Sequence, residues 1–202
     1  EKAFIAGADI AELAEQGPLD GRQRALDGQR VFSKLERAPK PVVAAVNGYA
    51  LGGGFEMALA CDIIIAAEHA RLGLPEPRVG LMAGAGGVHR LPRMIPQKIA
   101  MGYILTGRHM TAQEAHRLGV VNDVVPLAEL MPTAMKWANE ILECSPISIR
   151  ASKQAAMMGL QMPLDAALRM SFTEAERMRR SEDTIEGPKA FAEKRKPNWK
   201  GR

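Results

Sequence analysis

Glu56 lies in "GGGFEMALACD", directly behind Gly52, Gly53 and Gly54 and at the head of an apolar run. Glycine is poor inside helices, and a carboxylate on a buried face is costly unless it is partnered. Three glycines let the backbone approach a ligand closely. A helix opening at Phe55 would offer unpaired N–H groups and the positive end of its dipole to an oxyanion. Glu56 follows Gly53 by three residues, about one turn, which sets its side chain near the same mouth. The alternative is a plain dipole partner at a helix N-terminus. Glu76 is the second acid: in "RLGLPEPRVGL" it stands between Pro75 and Pro77, whose fixed φ stiffens the turn and aims the carboxylate. An exposed turn acid is the other reading. In "AFIAGADIAEL", the stretch Ala6-Gly7-Ala8-Asp9 is a small-residue turn with N–H groups to offer, or else a simple turn capped by Asp9. Two such turns can each present one donor to a single oxygen. Two acids beside them suit general acid–base work on a carbonyl-activated substrate.

Other common chemistries lack their residues. No Lys-Ser/Thr pair follows either glycine cluster, as a Walker loop requires, and "GAGGVH" (84–89) fails the last position of a dinucleotide fingerprint. There is no G-x-S-x-G elbow, and the four histidines show no zinc spacing.

The elements that must position these residues alternate in type. Lys2–Ile5 reads as a strand and Ile10–Gln16 as a short helix stopped by Gly17-Pro18. Gly21–Arg37 has helical spacing through Leu26, Val31 and Leu35, and ends before Pro39-Lys40-Pro41. Val42–Val46 and Ile63–Ala66 are continuous apolar runs of strand length, expected to be covered on both faces. Phe55–Ala60 is a short helix between them, and Leu72–Leu74 a possible third strand. Such alternation predicts roughly parallel strands with crossover helices. Further on, Thr111-Ala-Gln-Glu114 is a capping box whose helix stops at Gly119, before a strand over Val120–Val125. Helices are expected over Leu127–Glu143, Pro146–Leu160 and Leu164–Arg180. Met135, Trp137, Ala138, Ile141 and Leu142 should line one side of the first, and Leu168, Phe172, Ala175 and Met178 one side of the third. The tail "GPKAFAEKRKPNWKGR" is basic and is expected to end in a loop. The expected division is a spiral α/β core over 1–126 and a helical region over 127–202.

At 202 residues, with 47% hydrophobic and 25% charged, the chain suits one substantial core. Its apolar stretches are broken well short of a membrane-spanning helix. Cys61 and Cys144 show neither metal spacing nor a disulfide framework, and read as buried, inert thiols in a reducing compartment. A formal charge of +4 permits an anionic partner.

At these same residues the chain resembles the enoyl-CoA hydratase/isomerase (crotonase) family. The stretches that carry the resemblance are "KAFIAGADI", "KPVVAAVNGYALGGGFEMALACDIIIAAE", "LGLPEPRVGLMAGAGGVHRLPR", "ILTGRHMTAQEAHRLGVVNDVV" and "FAEKRKPNW", in that order from residue 2 to the end. The resemblance implies a crotonase-like ββα spiral core with a C-terminal helical layer, without the family's leading strands. It implies an acyl-CoA thioester substrate whose carbonyl oxygen meets the N–H groups of Ala8 and Gly53. Glu56 then takes a proton from water, and Glu76 delivers one to the α-carbon. Ala6, Ala8, Asp9, Ile10 and Gly53 fall on its substrate-binding positions. Coenzyme A enters as part of the substrate, so no separate cofactor is implied. A trimer or dimer of trimers is implied, in the cytoplasm or an organelle matrix. Ala83, Val88-His89 and Pro77 depart from the family's usual residues; they leave both acids in place and bear on acyl preference.

An isomerase could run on one acid, so two acids favour hydration; carnitinyl-CoA-type dehydratases remain a further reading. An inactive structural subunit is the third possibility. Nucleic-acid binding would rest on the basic stretch 21–40. There Asp27 and Glu36 interrupt the charge and no aromatic platform accompanies it, so a solvated helix face is the better reading.

Overall fold

The computed structural model describes residues 2–9, 11, 15 and 17–202. The expected helix over Ile10–Gln16 lies largely outside these residues. The chain divides into two compact units, Glu1–Ala38 with Val42–Met135, and Pro39–Pro41 with Lys136–Arg202.

Two sheets build the first unit. The apolar runs form β2 (Val43–Val46) and β4 (Ile63–Ala67), which pair in parallel from Val43 opposite Ile63 to Val46 opposite Ala66. β7 (Asp123–Val125) adds in parallel to the other side of β4. The second sheet has the order β1 (Ala3–Ile5), β3 (Tyr49–Leu51), β5 (Arg71–Gly73) and β6 (His109–Thr111), with only the last pair antiparallel. Successive strands therefore leave for different sheets: β2 and β4 lie in one, β3 and β5 in the other. Helices fill the returns from β1 to β2, β3 to β4 and β6 to β7, while β2 to β3 and β4 to β5 are joined by short turns. This is the spiral α/β layout expected from the sequence.

α1 (Pro18–Glu36) opens with Pro at its first position, where a missing N–H costs nothing. α2 (Gly53–Leu59) starts two residues before the expected Phe55, because Glu56 N–H already donates to Gly52 O at 2.9 Å. Its second residue must be glycine: a Cβ on Gly54 would overlap the Ile5 carbonyl oxygen, so the helix rests directly on the β1 backbone. Phe55 and Leu59 of α2 are fully buried with Val46, Ile65, Leu72, Leu74 and Met110. After Arg71–Gly73 come a 3₁₀ turn (Glu76–Val79), α3 (Gly87–Met94) and α4 (Gln97–Thr106). The capping box forms at α5 (Ala112–Arg117): Thr111 N–H donates to Glu114 Oε2 at 2.8 Å, and Glu114 N–H to Thr111 Oγ1 at 3.1 Å.

α6 (Leu130–Leu142) follows a short 3₁₀ turn, and its buried residues are Leu130 and Ala134. Met135 and Leu142, expected on the packed side, are 52% and 75% exposed. In the second unit, α7 (Pro146–Gly159) is capped by Ser145. The expected helix over Leu164–Arg180 is two, α8 (Leu164–Arg169) and α9 (Thr173–Arg179). Met170 and Phe172 take extended backbone between them, and Gln154 Oε1 accepts the Glu174 N–H that starts the second. That break leaves Leu168 exposed and Phe172 buried, so the single stripe does not form. The tail ends in a loop as expected, and a helix precedes that loop. α10 (Glu182–Ala192) runs through Gly187 and Pro188, capped by Ser181. Asp183 on α10 then ties down the last residues, accepting from Ser145 Oγ at 2.7 Å, Lys200 N–H at 2.7 Å and Gly201 N–H. Cys61 is half-buried and Cys144 exposed, which corrects the expectation that both are buried: Cys144 falls just beyond the end of α6. Among the described residues no helix is long and apolar enough to cross a membrane.

Candidate active site

One cavity of about 660 Å³ brings together the residues with which the sequence reading begins. Ala6, Gly7 and Ala8 line it from the turn after β1, and Gly52 and Gly53 from the start of α2. Glu56 reaches it from one turn into α2, and Glu76 from the 3₁₀ turn after β5. α1 adds Arg22, Arg24, Gly28 and Phe32.

Burial makes both carboxyls unusual, and in different ways. Glu56 is only 4% exposed, and its Oε1 accepts the Gly87 N–H at 2.8 Å. Desolvation pushes its proton affinity above the ordinary carboxylate value. The Gly87 N–H, then the neighbouring Ala85 N–H, the field of Arg90 and the Gly86 N–H oppose that rise. Glu76 is pushed to about 7, first by desolvation and then by the nearby charge of Glu56, with its own backbone hydrogen bond acting in the opposite sense. Its Oε2 is buried and accepts no hydrogen bond from any described residue. Both carboxyls therefore hold a proton more tightly than an ordinary glutamate, Glu76 up to about 7, and Glu56 alone keeps a main-chain donor on its carboxylate.

Small residues make room for the pair. Gly52 has φ +54, and a Cβ there would stand 2.9 Å from Glu76 Oε1. Gly53 opens α2, so its N–H has no intrahelical acceptor, while Gly52 N–H is taken up by Gly73 O at 2.9 Å. Glu76 is held by its turn: Leu81 N–H donates to Glu76 O at 3.0 Å, and Arg78 Nε to Thr106 O at 3.1 Å. Prolines 75 and 77 thus sit in a built turn, not a free loop.

Other expected residues fall differently. Asp9 does not line the cavity; its Oδ1 accepts the Ala11 N–H at 2.9 Å, the turn-capping alternative of the sequence reading. Ile10 lies outside the described residues. The sequence reading missed Gly87, whose contribution is a main-chain N–H and leaves no side-chain signature. The cue in the sequence is the Gly86-Gly87 pair within "GAGGVH", which also resembles part of a dinucleotide motif. Among the described residues no group of three His, Cys, Asp or Glu side chains could hold a metal ion.

Comparison with known proteins gives the family and the fold. A family profile described as "Enoyl-CoA hydratase/isomerase" matches residues 1–202. The short-chain-enoyl-CoA hydratase of Clostridium acetobutylicum is 44% identical over 196 residues, covering 97% of this chain and 75% of that one. A carnitinyl-CoA dehydratase of Escherichia coli is 44% identical over 206 residues, covering 100% of this chain and 78% of the other. Among solved structures, an enoyl-CoA hydratase from Bacillus anthracis superposes with a TM-score of 0.94 at 43% identity, covering 100% of this chain and 78% of that one.

Proposed function

Because this chain belongs to the enoyl-CoA hydratase/isomerase family, we propose that it is a hydro-lyase adding water across the 2,3 double bond of a 2-enoyl-CoA thioester. The observation that carries this reading is that Glu56 and Glu76, both raised in proton affinity by burial, share one cavity with both small-residue turns.

The thioester carbonyl oxygen accepts from Ala8 N–H and Gly53 N–H. That polarises the conjugated double bond and makes the β-carbon electrophilic. A water held by both carboxyls attacks there, and Glu56 takes its proton as the C–O bond forms. Negative charge moves to the thioester oxygen, where fixed donors outside bulk water stabilise it; one such donor contributes about 3–4 kcal/mol. The charge returns to the α-carbon as Glu76 gives up its proton. Glu56 ends protonated and Glu76 ionised, and proton exchange with solvent restores the start. Both groups act from one side of the double bond, so addition is syn. Coenzyme A belongs to the substrate, and the reaction draws on no resident cofactor. Ala6 belongs to the same substrate-binding turn. A cytoplasmic setting and a homo-oligomer, a trimer or dimer of trimers, complete the proposal.

The dehydratase relatives favour one second reading, the same chemistry in reverse on a carnitine-derived thioester. The wall of the cavity argues against it. A quaternary ammonium favours aromatic faces or acids. Beyond the two catalytic carboxyls, the described charged residues lining the cavity are Arg22, Arg24 and Arg78, and the one aromatic is Phe32. A panel of thioesters separates the readings. We expect rapid loss of the conjugated absorbance of crotonyl-CoA with formation of 3-hydroxybutyryl-CoA, and slower turnover of the trimethylammonium analogue. The reverse preference, or conversion only of 3-enoyl-CoA, contradicts the proposal.

A further inference from the structure

Arg90, one turn into α3, is not among the residues lining the cavity, yet it is only 13% exposed at its side chain. Its guanidinium forks onto Glu36, the last residue of α1, with Nε donating to Oε1 at 3.2 Å and Nη2 to Oε2 at 3.0 Å. The remaining nitrogen, Nη1, donates to the Ala85 carbonyl oxygen at 3.3 Å. Gly86 is shaped around this group: a Cβ there would overlap Nη1, and its φ of +126 is one that L side chains rarely adopt.

The same three-residue turn faces Glu56 on its other side. Gly87 N–H donates to Glu56 Oε1 at 2.8 Å, and a Cβ on Gly87 would come within 3.0 Å of Glu56 Cγ. Ala85, Gly86 and Gly87 have no side chain able to fix their own conformation. The first turn of α3 holds one end, His89 and Arg90 N–H donating to Gly86 O at 3.1 and 2.8 Å, and the guanidinium holds the other at the Ala85 carbonyl. Gln29 of α1 adds a second tie, donating from Nε2 to Gly84 O at 2.7 Å.

We propose that Arg90 is a positioning residue for Glu56: clamped between Glu36 and the Ala85 carbonyl, it holds the Ala85–Gly87 turn so that the Gly87 N–H stays on the carboxylate. A bidentate pair fixes orientation as well as charge, which a point cation does not. α1 thus governs the general base at a distance, through its last residue. The effect works by geometry, with the positive charge of Arg90 acting in the same direction. The other charged groups facing Glu56 are Glu76 and Arg78 from the 3₁₀ turn and Arg22 and Arg24 from α1. Of these, Arg78 is engaged elsewhere, its Nε donating to Thr106 O. The assignment of Glu56 as base rests on the hydratase reading; its anchoring by Arg90 does not.

The test reads Glu56 directly. In the full chain with ¹³C-labelled glutamate, the Glu56 carboxyl resonance is identified by its loss in Glu56→Gln and then titrated. In Arg90→Met the midpoint should rise by about one pH unit, the size expected when a carboxylate loses a hydrogen-bond donor and a nearby cation. Arg90→Lys restores charge without the fork, and should keep a smaller rise. Crotonyl-CoA kinetics give the second readout: kcat falls roughly 10-fold or more in Arg90→Met from a misplaced base, KM stays near wild type, and the acid limb of the profile moves up with the resonance. A Glu56 midpoint unmoved in both variants, or a loss of kcat with an unshifted limb, overturns the proposal. Should Arg90→Met fail to fold, Arg90→Lys decides alone. The titration needs no substrate, so a protein without hydratase activity still tests the anchoring, and its inactivity would count against the functional reading only.

Discussion

The proton on Glu76 links function to stability. Its carboxyl titrates near 7 in the folded protein against an ordinary 4.5. Below about 4.5 the group is protonated whether the chain is folded or not, so it costs nothing. As pH rises from there towards 7, the unfolded chain releases the proton while the folded chain keeps it. Stability falls across that window and levels off above it. At about 1.4 kcal/mol per pH unit the penalty is at most roughly 3 kcal/mol, less to the extent that solvent enters the cavity. Glu76→Gln removes the titration. Its unfolding free energy at pH 8 should exceed wild type by about 1–3 kcal/mol, with the two converging near pH 4. Denaturant unfolding at the two pH values checks this; equal stabilities at pH 8 would mean that the carboxyl is not desolvated. A carboxyl held at this cost is better explained by proton transfer than by packing.

Among the elements, the short helix α2 carries the strictest demands. Gly54 lies against the Ile5 carbonyl, so the helix cannot rise from β1 without moving Glu56 and the Gly53 N–H with it. Gly54→Ala should therefore destabilise by several kcal/mol, or prevent folding, because the obstructing atom is backbone and cannot swing aside. Thr111→Ala, which removes one half of the α5 capping box, should cost only about 1 kcal/mol. Thermal unfolding ranks the two, and a mild Gly54→Ala would contradict this packing. Elements differed in how plainly the sequence announced them. Val43–Val46 and Ile63–Ala67 are uninterrupted apolar runs, and Thr111 with Glu114 is a local motif, so each could be read from adjacent residues. Tyr49–Leu51 could not: three residues between glycines become a strand only because β1 and β5 flank them. α10 was hidden by its Gly187-Pro188 pair, and the break between α8 and α9 by a contact from Gln154 on another helix. The two acids were legible because glycine and proline mark their surroundings. Their anchors, Gly87 N–H and the Arg90 fork, were not, since both depend on segments more than 30 residues away.

At the scale of the molecule, the second unit leaves much apolar surface uncovered. Leu160 is 79% exposed, Leu168 75% and Phe191 88%. A single chain rarely leaves so many large side chains in water without a partner, which supports the proposed homo-oligomer. Light scattering after size exclusion should give a mass of three chains or a multiple of three, and Leu168→Glu with Phe191→Glu should lower it; a clean monomer would count against the assembly. The central claim is tested most directly by the turnover of crotonyl-CoA in Glu56→Gln and Glu76→Gln beside wild type, with CoA-thioester affinity measured on the same proteins. Loss of a positioned acid or base should slow each variant by roughly 10²–10⁴-fold, with affinity nearly unchanged. Wild-type turnover in both variants would contradict the account.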